Sequence, residues 1–398
     1  MIKKIYEDQE TNEKLLQITA TALSEKIHNV YKHANAPFDV PDIAMLTRLT
    51  SDVWSFSAAK NYRQLHDLSQ AIVDDKGYIR SFNDYKSIAN DICEKYNETW
   101  LKSEYNNAIA ASQNAARWTE FEKDGIKYLR YQTVGDGNVR TDHQLLDGIV
   151  KEMKDPFWNT HYPPNGWGCR CEVVQTPDAS KPSKNTPSIS IPGLFKTNLA
   201  KTGLIFPKNH PYYDGVPRSV IRKSILYLPP KNTYMDVMLG DYQIQVHPLH
   251  NRDEIENNLR TLKSYLDSTN LKIKDIKILP DIHQKDKLIK KAYYPKNYTL
   301  RVETKNADSI ITLQNGKEIV ADFKHLTGAG GHISGHINEA SQKAEYIIIK
   351  IGKKSKQDNS ELIKLAKSRT KHKELKGICI IDYNNNKIID TLNEMGFD

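Results

Sequence analysis

Apolar side chains recur every three or four residues through much of the first 120 positions of the chain. Residues 10–35, 41–75 and 83–120 each carry such a stripe, and the third stripe is the most regular. A stripe of this period lies on one face of an α-helix and buries that face against neighbouring elements. The pattern therefore predicts an α-helical bundle, followed by a single strand over 127–134.

The pattern changes at residue 176. Residues 176–192 hold four prolines among small polar side chains, a composition typical of an extended linker rather than a packed core. We therefore assign residues 1–175 to the helical domain and residues 176–218 to a linker and tail. Residues 219–398 form the last predicted domain.

Helical and alternating segments then follow one another. The first of them is a helix over 252–268, and Asn315-Gly316 is a strong hairpin signal. The predicted helices are 252–268, 334–344 and 359–371, and the predicted strands are 271–279, 309–314, 317–323, 346–351, 377–382 and 387–390. The fold class is multidomain: a helical bundle with a Cys/His-rich loop, then a small α+β domain of order α-β-β-β-α-β.

The composition argues against a membrane-spanning or a secreted protein. The chain has 398 residues, is 38% hydrophobic and 27% charged, and contains no apolar run long enough to span a membrane. Its first residues lack the apolar core of a secretion signal, and four cysteines fit a reducing cytoplasm. We expect a protein that makes no membrane contact and resides in the cytoplasm.

Charge is distributed unevenly along the chain. Residues 1–200 contain 24 Lys+Arg against 26 Asp+Glu, a balance of −2, whereas residues 201–398 contain 33 against 23, a balance of +10. A basic half of this kind favours a polyanionic partner such as nucleic acid, although a solvated basic surface gives the same count.

A loop rich in His, Cys, Trp and Pro follows the predicted bundle. His143, His161, Cys169 and Cys171 lie within about thirty positions, and two His with two Cys is a common ligand set for structural zinc. A zinc ion would supply folding free energy that so short a loop lacks. The alternative is that Trp158 and its aromatic neighbours lock the loop by packing alone.

The same loop carries a family resemblance. Arg140-x-x-His143-x-x-Leu-Asp-Gly148, Asp155-Pro-Phe-Trp158 and Pro163-Pro-Asn-Gly-Trp-x-Cys-Arg-Cys171 appear in order, after a long helix that ends near Trp118. This combination resembles phage Mu F-like minor head, or head morphogenesis, proteins over roughly residues 80–215. The resemblance implies a structural role in a phage head, with portal and capsid proteins as partners, in the virion and in the bacterial cytoplasm during assembly.

A second candidate site lies on the predicted 309–323 hairpin. Asp308 precedes its first strand, and Asp322-Phe-Lys324 ends its second strand. An acidic residue followed by Asp-x-Lys is the arrangement of metal-dependent nucleases of the PD-(D/E)xK type. Both carboxylates would hold Mg²⁺ and Lys324 would orient or deprotonate the attacking water. Glu254 or Glu256 would add a ligand, while Ala307 stands where proline is usual.

A metal-free mechanism is the alternative for this site. His325, His332 and His336 flank a glycine-rich loop that also contains Thr327. Histidines supply the general base and acid that a ribonuclease requires, and Lys324 would bind the phosphate. Four further basic residues are candidate contacts to nucleic acid: Lys305, Lys343, Lys367 and Arg369.

The C-terminal half also shows a looser resemblance. The segments Asn315-Gly-Lys317, Ala321-Asp-Phe-Lys324 and Ile337–Ile349, over about residues 247–391, resemble toxin nuclease domains. These are the tRNase tips of contact-dependent inhibition proteins and the group that includes barnase, EndoU, colicin tRNases and RelE. The resemblance implies an endonuclease toxin or effector that acts on RNA, including tRNA. DNA is the alternative substrate, and an immunity protein is a further expected partner. The rival interpretation is a non-catalytic module that binds nucleic acid, portal or scaffold.

Overall fold

The computed structural model describes residues 12–33, 39–177, 181–296, 298, 305–326, 333–351, 364, 368, 375–382 and 388–392. The chain divides into two compact units, the first made of residues up to 36 and 48–228, the second of residues 37–47 and 229–398. In the part of the chain that the structure describes, no helix combines the length and apolar character needed to cross a membrane.

Helices dominate the first unit. They are α1 (Glu13–His33), α2 (Val40–Gln70), which belongs to this unit from Arg48 onwards, α3 (Phe82–Glu94) and α4 (Trp100–Lys123). A π-helical turn, Lys95–Thr99, joins α3 and α4. On α1 the fully buried residues Leu16, Leu23 and Ile27 repeat at helical spacing. α1 packs along α4, whose alanines leave room for close approach. The predicted helical region is confirmed, with the third predicted helix divided at the π-helical turn.

A small antiparallel sheet follows the helices. Its central strand β1 (Tyr128–Gln132) lies between β2 (Val150–Glu152) and β3 (Glu172–Gln175). Two single-turn helices, α5 (Thr141–Gln144) and α6 (Trp158–His161), lie in the connections. The sequence predicted only β1, because strands of three and four residues are too short to show an alternating pattern.

The segment predicted as a linker and tail is largely part of the first unit. Residues 181–192 contain neither helix nor strand, as their proline content predicts. Beyond them, the Phe206 ring stacks on the Phe56 ring with centroids 3.7 Å apart. The backbone amides of Ile205 and Phe206 each donate to Asp52 over 2.8 Å. Apolar residues after Pro192 thus complete the helical core.

The domain boundary consequently lies later than residue 218. Helix α7 (Leu199–Thr202) and helix α8 (Arg218–Leu226) both belong to the first unit, and the second unit resumes at Pro229. Ile221 and Ile225 of α8 are buried. Because these residues are buried in the first unit, that unit extends to Leu228. Proline and serine content does not record burial and therefore placed the boundary too early.

An eight-stranded mixed sheet forms the second unit. Its strands are β4 (Met235–Leu239), β5 (Tyr242–Val246), β6 (Ile273–Ile278), β7 (Ser309–Leu313), β8 (Glu318–Leu326), β9 (Tyr346–Ile351), β10 (Gly377–Asp382) and β11 (Ile388–Leu392). Their order across the sheet is β11-β10-β9-β8-β7-β6-β5-β4. β8, β9 and β10 run parallel to one another, β6, β7 and β8 alternate in direction, and β5 runs parallel to β6.

Two helices cover opposite faces of this sheet. α9 (Ile255–Leu266) contacts the face that carries Lys350, whose ammonium donates to Ser264 over 2.7 Å. α11 (Ile333–Ser341) packs through Ile337 against Ile349 on the other face, because neighbouring residues of β9 point to opposite sides. The order α9-β6-β7-β8-α11-β9 matches the predicted α-β-β-β-α-β order except for an additional short helix between β6 and β7.

Other elements of the second unit differ from the sequence prediction. The β4–β5 hairpin and helix α10 (Lys287–Tyr293) were not predicted. Met235–Val246 alternates across a Gly-Asp turn, so the hairpin had a readable signal. The helix predicted over 359–371 lies almost wholly outside the described residues.

Candidate functional site

Three predicted ligands come together in the first unit. His143, on α5, places its Nδ1 atom 3.7 Å from Cys169 Sγ and 3.5 Å from Cys171 Sγ. All three residues are buried, and their ligand atoms lie within 4.8 Å of one another. Zinc–sulfur and zinc–nitrogen bonds of about 2.3 and 2.05 Å in a tetrahedron separate the ligands by about 3.6 Å. The observed separations match that value.

Hydrogen bonds hold the two sides of this loop in place. The Arg170 guanidinium donates to both carboxylate oxygens of Asp136, each over 2.7 Å. Inside the loop, the buried Tyr131 hydroxyl donates to Asn165 Oδ1 over 2.9 Å. The Arg140 guanidinium donates to the carbonyl oxygen of Trp167. These contacts preorganise the group before any ion binds.

The pKa values of the two thiols are shifted in opposite directions. The Cys171 thiol donates toward Cys169, and this contact, with further help from His143, holds the pKa of Cys169 below its ordinary value despite burial. The same contact and burial raise the pKa of Cys171. One sulfur is therefore predisposed to be a thiolate, which is the form that binds metal.

His161, the fourth predicted ligand, is not part of this group. Its ring stacks on Phe157 with centroids 4.4 Å apart, and its Nδ1 atom lies 2.8 Å from the Thr160 hydroxyl. Burial lowers the pKa of His161. Helix α6 directs this ring into aromatic packing, so among the described residues the His/Cys group has three members.

Asp308, Asp322 and Lys324 come together in the second unit. Asp308 precedes β7 and its Oδ2 atom accepts from the Phe323 amide over 2.7 Å. Asp322 is fully buried on β8, and Lys324 Nζ lies 3.1 Å from its Oδ2 atom. Burial raises the pKa of both carboxyl groups, and for Asp322 the neighbouring Asp308 raises it further.

A second lysine reaches the same carboxylate. Lys343 Nζ lies 3.8 Å from Asp322 Oδ1 and 3.0 Å from Glu339 Oε1, a residue of α11. Burial opposes the charge on Lys343, but Asp322, Asp308 and Glu339 together outweigh burial and raise the pKa of Lys343. The alternating charges allow two carboxylates to lie side by side in a buried place.

A cleft of about 220 Å³ opens beside this cluster. Its charged lining residues are Glu254, Asp281, Lys305, Asp308 and Lys343. The sequence predicted Glu254 or Glu256 as an additional ligand. Glu254 lies just before α9 and lines the cleft, whereas Glu256 forms an ion pair with Arg260. Lys305 Nζ donates to Gln342 Oε1 over 2.8 Å at this cleft. Carboxylates and ammonium groups together suit a cation and a phosphate.

His325 lies on the other face of the sheet from Lys324. Its Nδ1 atom is 3.3 Å from the Thr261 hydroxyl of α9, whereas Lys324 faces Glu339 of α11. Burial, with Lys350 and Arg260 nearby, lowers the pKa of His325 to about 4. Adjacent residues of one strand point to opposite faces, so the geometry does not place His325 and Lys324 on one phosphate.

The remaining predicted residues of this site are distributed as follows. His336 is half-buried on α11, the helix that also carries Glu339. Four predicted residues lie outside the described part of the chain: Thr327, His332, Lys367 and Arg369.

The family match to known proteins lies within the first unit. Residues 63–174 match the profile of the family described as Phage Mu protein F like protein. This Mu F-like segment runs from the second half of α2 to β3 and includes the His143, Cys169 and Cys171 group.

Two curated relatives agree with that match. The chain is 40% identical over 75 residues to the "Putative capsid assembly protein F" of Escherichia phage Mu. It is 34% identical over 99 residues to the "Mu-like prophage FluMu F protein" of Haemophilus influenzae. The matches cover 18% and 25% of this chain, and 17% and 24% of the relatives. The chain thus spans about a quarter or less of the length of these relatives. No solved structure matches the chain.

Sequence reasoning missed several residues of both sites. In the Mu F-like segment it did not single out Tyr131, which lies against both thiols. In the second unit it missed Glu339, although the i, i+4 spacing to Lys343 is a readable ion-pair signal. Asp281 carried no local signal, because only the sheet brings it to the cleft.

Proposed function

We propose that this protein takes part in the assembly of a phage head through its first unit. The observation that carries the proposal is the Mu F-like segment, which resembles a relative named as a putative capsid assembly protein. Portal and capsid proteins of the head are the proposed partners. The protein would act in the bacterial cytoplasm during assembly and remain in the virion.

A zinc ion is proposed to hold the loop of this unit. His143, Cys169 and Cys171 would be its ligands, and their separations already fit tetrahedral zinc. The ion would contribute folding free energy to a loop with little regular structure, which would give partners a rigid surface.

Metal content of the purified full-length chain tests the zinc site. We expect close to one zinc per chain in the wild type, and loss of zinc in His143→Ala and Cys169→Ser. Cys93→Ser and His161→Ala are matched controls, because Cys93 lies elsewhere and His161 stacks on Phe157. Zinc retained by Cys169→Ser, or lost equally in His161→Ala, contradicts the proposed ligand set.

The second unit is proposed to be a metal-dependent endonuclease. Asp308 and Glu254 line one cleft together with two lysines, which supports the proposal. The buried Asp322 lies next to Lys324 and Lys343, and Lys343 also lines the cleft. A divalent ion at these carboxylates would neutralise phosphate charge and acidify an attacking water. The metal-free alternative has less support, because His325 faces α9 while Lys324 faces α11. RNA and DNA both remain substrates to test.

Nuclease assays on the full chain decide between cleavage and binding. Labelled total RNA and duplex DNA are incubated with Mg²⁺, with EDTA, and with Asp308→Asn or Asp322→Asn. We expect cleavage in Mg²⁺ alone and its loss in both variants, while Asp236→Asn, an exposed acid on β4, retains it. Binding without cleavage under every condition would support the non-catalytic rival.

The same variants separate the two proposed functions in a phage that encodes the chain. His143→Ala is expected to reduce the number of complete heads seen by electron microscopy, whereas Asp322→Asn leaves head number unchanged. A loss of heads in Asp322→Asn without loss of protein would mean that the second unit is itself part of assembly.

A further inference from the structure

Two ammonium groups flank one buried carboxylate in the second unit. Lys324 Nζ lies 3.1 Å from Asp322 Oδ2, and Lys343 Nζ lies 3.8 Å from Asp322 Oδ1. An Asp-x-Lys arrangement requires only the first of these lysines. The presence of the second therefore calls for a separate role.

The two lysines differ in their access to the cleft. Lys343 lines the cleft together with Asp308 and Lys305, whereas Lys324 is not among the described residues that line it. Lys324 extends from the interior of β8, where its backbone pairs with Ile349 of β9. Lys343 lies between α11 and β9, where the chain turns at the edge of the cleft.

Neighbouring groups aim Lys343 at the cleft. Glu339 Oε1 holds its ammonium at 3.0 Å, four residues back along the chain. Lys305 Nζ, donating to Gln342, brings a second positive charge to the same cleft. Two ammonium groups beside a carboxylate cluster suit a phosphodiester whose charge a cation shares.

We propose that Lys343 is the lysine that contacts the phosphodiester, and that Lys324 is a positioning residue that holds the Asp322 carboxylate. The proposal rests on the proposed nucleic-acid-cleaving function of the second unit. It assigns substrate contact to a residue outside the Asp-x-Lys motif, and Lys305 acts with it on the nucleic-acid backbone.

Binding and cleavage by the full chain separate the two roles. A short fluorescein-labelled single-stranded RNA and the corresponding DNA duplex are titrated by anisotropy with Ca²⁺ in place of Mg²⁺, and cleavage is then measured with Mg²⁺. Lys343→Met is expected to weaken binding about tenfold or more and to raise KM. Lys324→Met is expected to keep binding within about twofold of wild type and to lower kcat. Lys274→Met, which removes the same charge at an exposed site on β6, is the control.

Each outcome has one meaning. Wild-type binding by Lys343→Met, with binding lost in Lys324→Met, overturns the assignment. If the wild type binds but never cleaves, the nuclease proposal fails and Lys343 is judged by binding alone. If it neither binds nor cleaves, both proposals fall. Lys343→Arg keeps the charge and should recover binding; a folded Lys343→Arg as weak as Lys343→Met also overturns the role.

Discussion

Phe206 tests whether the residues after the proline tract belong to the core of the first unit. Its side chain is 1% exposed and its ring stacks on Phe56 with centroids 3.7 Å apart. Truncating such a buried phenylalanine costs about 3–5 kcal/mol of unfolding free energy. A residue in a solvated linker would cost no more than about 0.5 kcal/mol. The structure therefore predicts that Phe206→Ala lowers the stability of the first unit by about 3–5 kcal/mol.

Urea denaturation followed by tryptophan fluorescence measures this change selectively. All five tryptophans, at positions 54, 100, 118, 158 and 167, lie in the first unit, so their signal reports on that unit alone. The midpoint should fall while the urea dependence of the free energy stays the same. Phe82→Ala is the matched control, because Phe82 is 70% exposed on α3.

Two results would refute the reasoning. An unchanged midpoint in Phe206→Ala would show that the segment does not pack on the helices in solution. An equal loss in Phe82→Ala would show that the assay responds to any lost aromatic ring rather than to buried contact.

Three further predictions concern the first unit, each read from the tryptophan transition. Lys60→Met should lower the unfolding free energy by about 3–5 kcal/mol, because it leaves the Glu104 carboxylate buried without its cationic partner. Lys60→Met combined with Glu104→Leu should cost less than Lys60→Met alone, and additive losses would contradict this. Burial and, to a smaller extent, the charge of Lys60 lower the pKa of His210 to about 4, below the value near 6.5 in the unfolded chain. The unfolded chain therefore binds a proton at this histidine at a higher pH than the folded chain does. The unfolding free energy of the first unit should be highest above about pH 6.5 and fall toward pH 4, and this fall should be smaller in His210→Asn. EDTA should lower the midpoint of wild type but not of Cys169→Ser; equal shifts would exclude the zinc site.

Local patterns predicted the elements that carry their own periodicity. The stripe on α1 and the Asn315-Gly316 turn between β7 and β8 were sufficient, because each depends on residues close in sequence. Strands β2 and β3 were not predicted, because each is held by pairing with β1 rather than by its own sequence. The boundary at Pro229 depends on burial that composition does not record.

The sites were predictable in the same partial way. Closely spaced residues such as Cys169 and Cys171, or Asp322 and Lys324, identified where chemistry is concentrated. Neighbouring residues of a strand nevertheless face opposite ways, so the sequence grouped His325 with Lys324 while the sheet separates them. Membership in a site is decided by the side of the element from which a residue projects.

The hydrogen bonds to Asp52 have a consequence for synthesis of the protein. The amide donors of Ile205 and Phe206 follow Asp52 by 153 and 154 residues. At about 5–20 residues per second, a ribosome needs roughly 8–30 s to supply them. During that interval the Asp52 carboxylate lacks these two amide donors. The two hydrogen bonds that tie this segment to Asp52 can therefore form only after the segment containing Phe206 has left the ribosome.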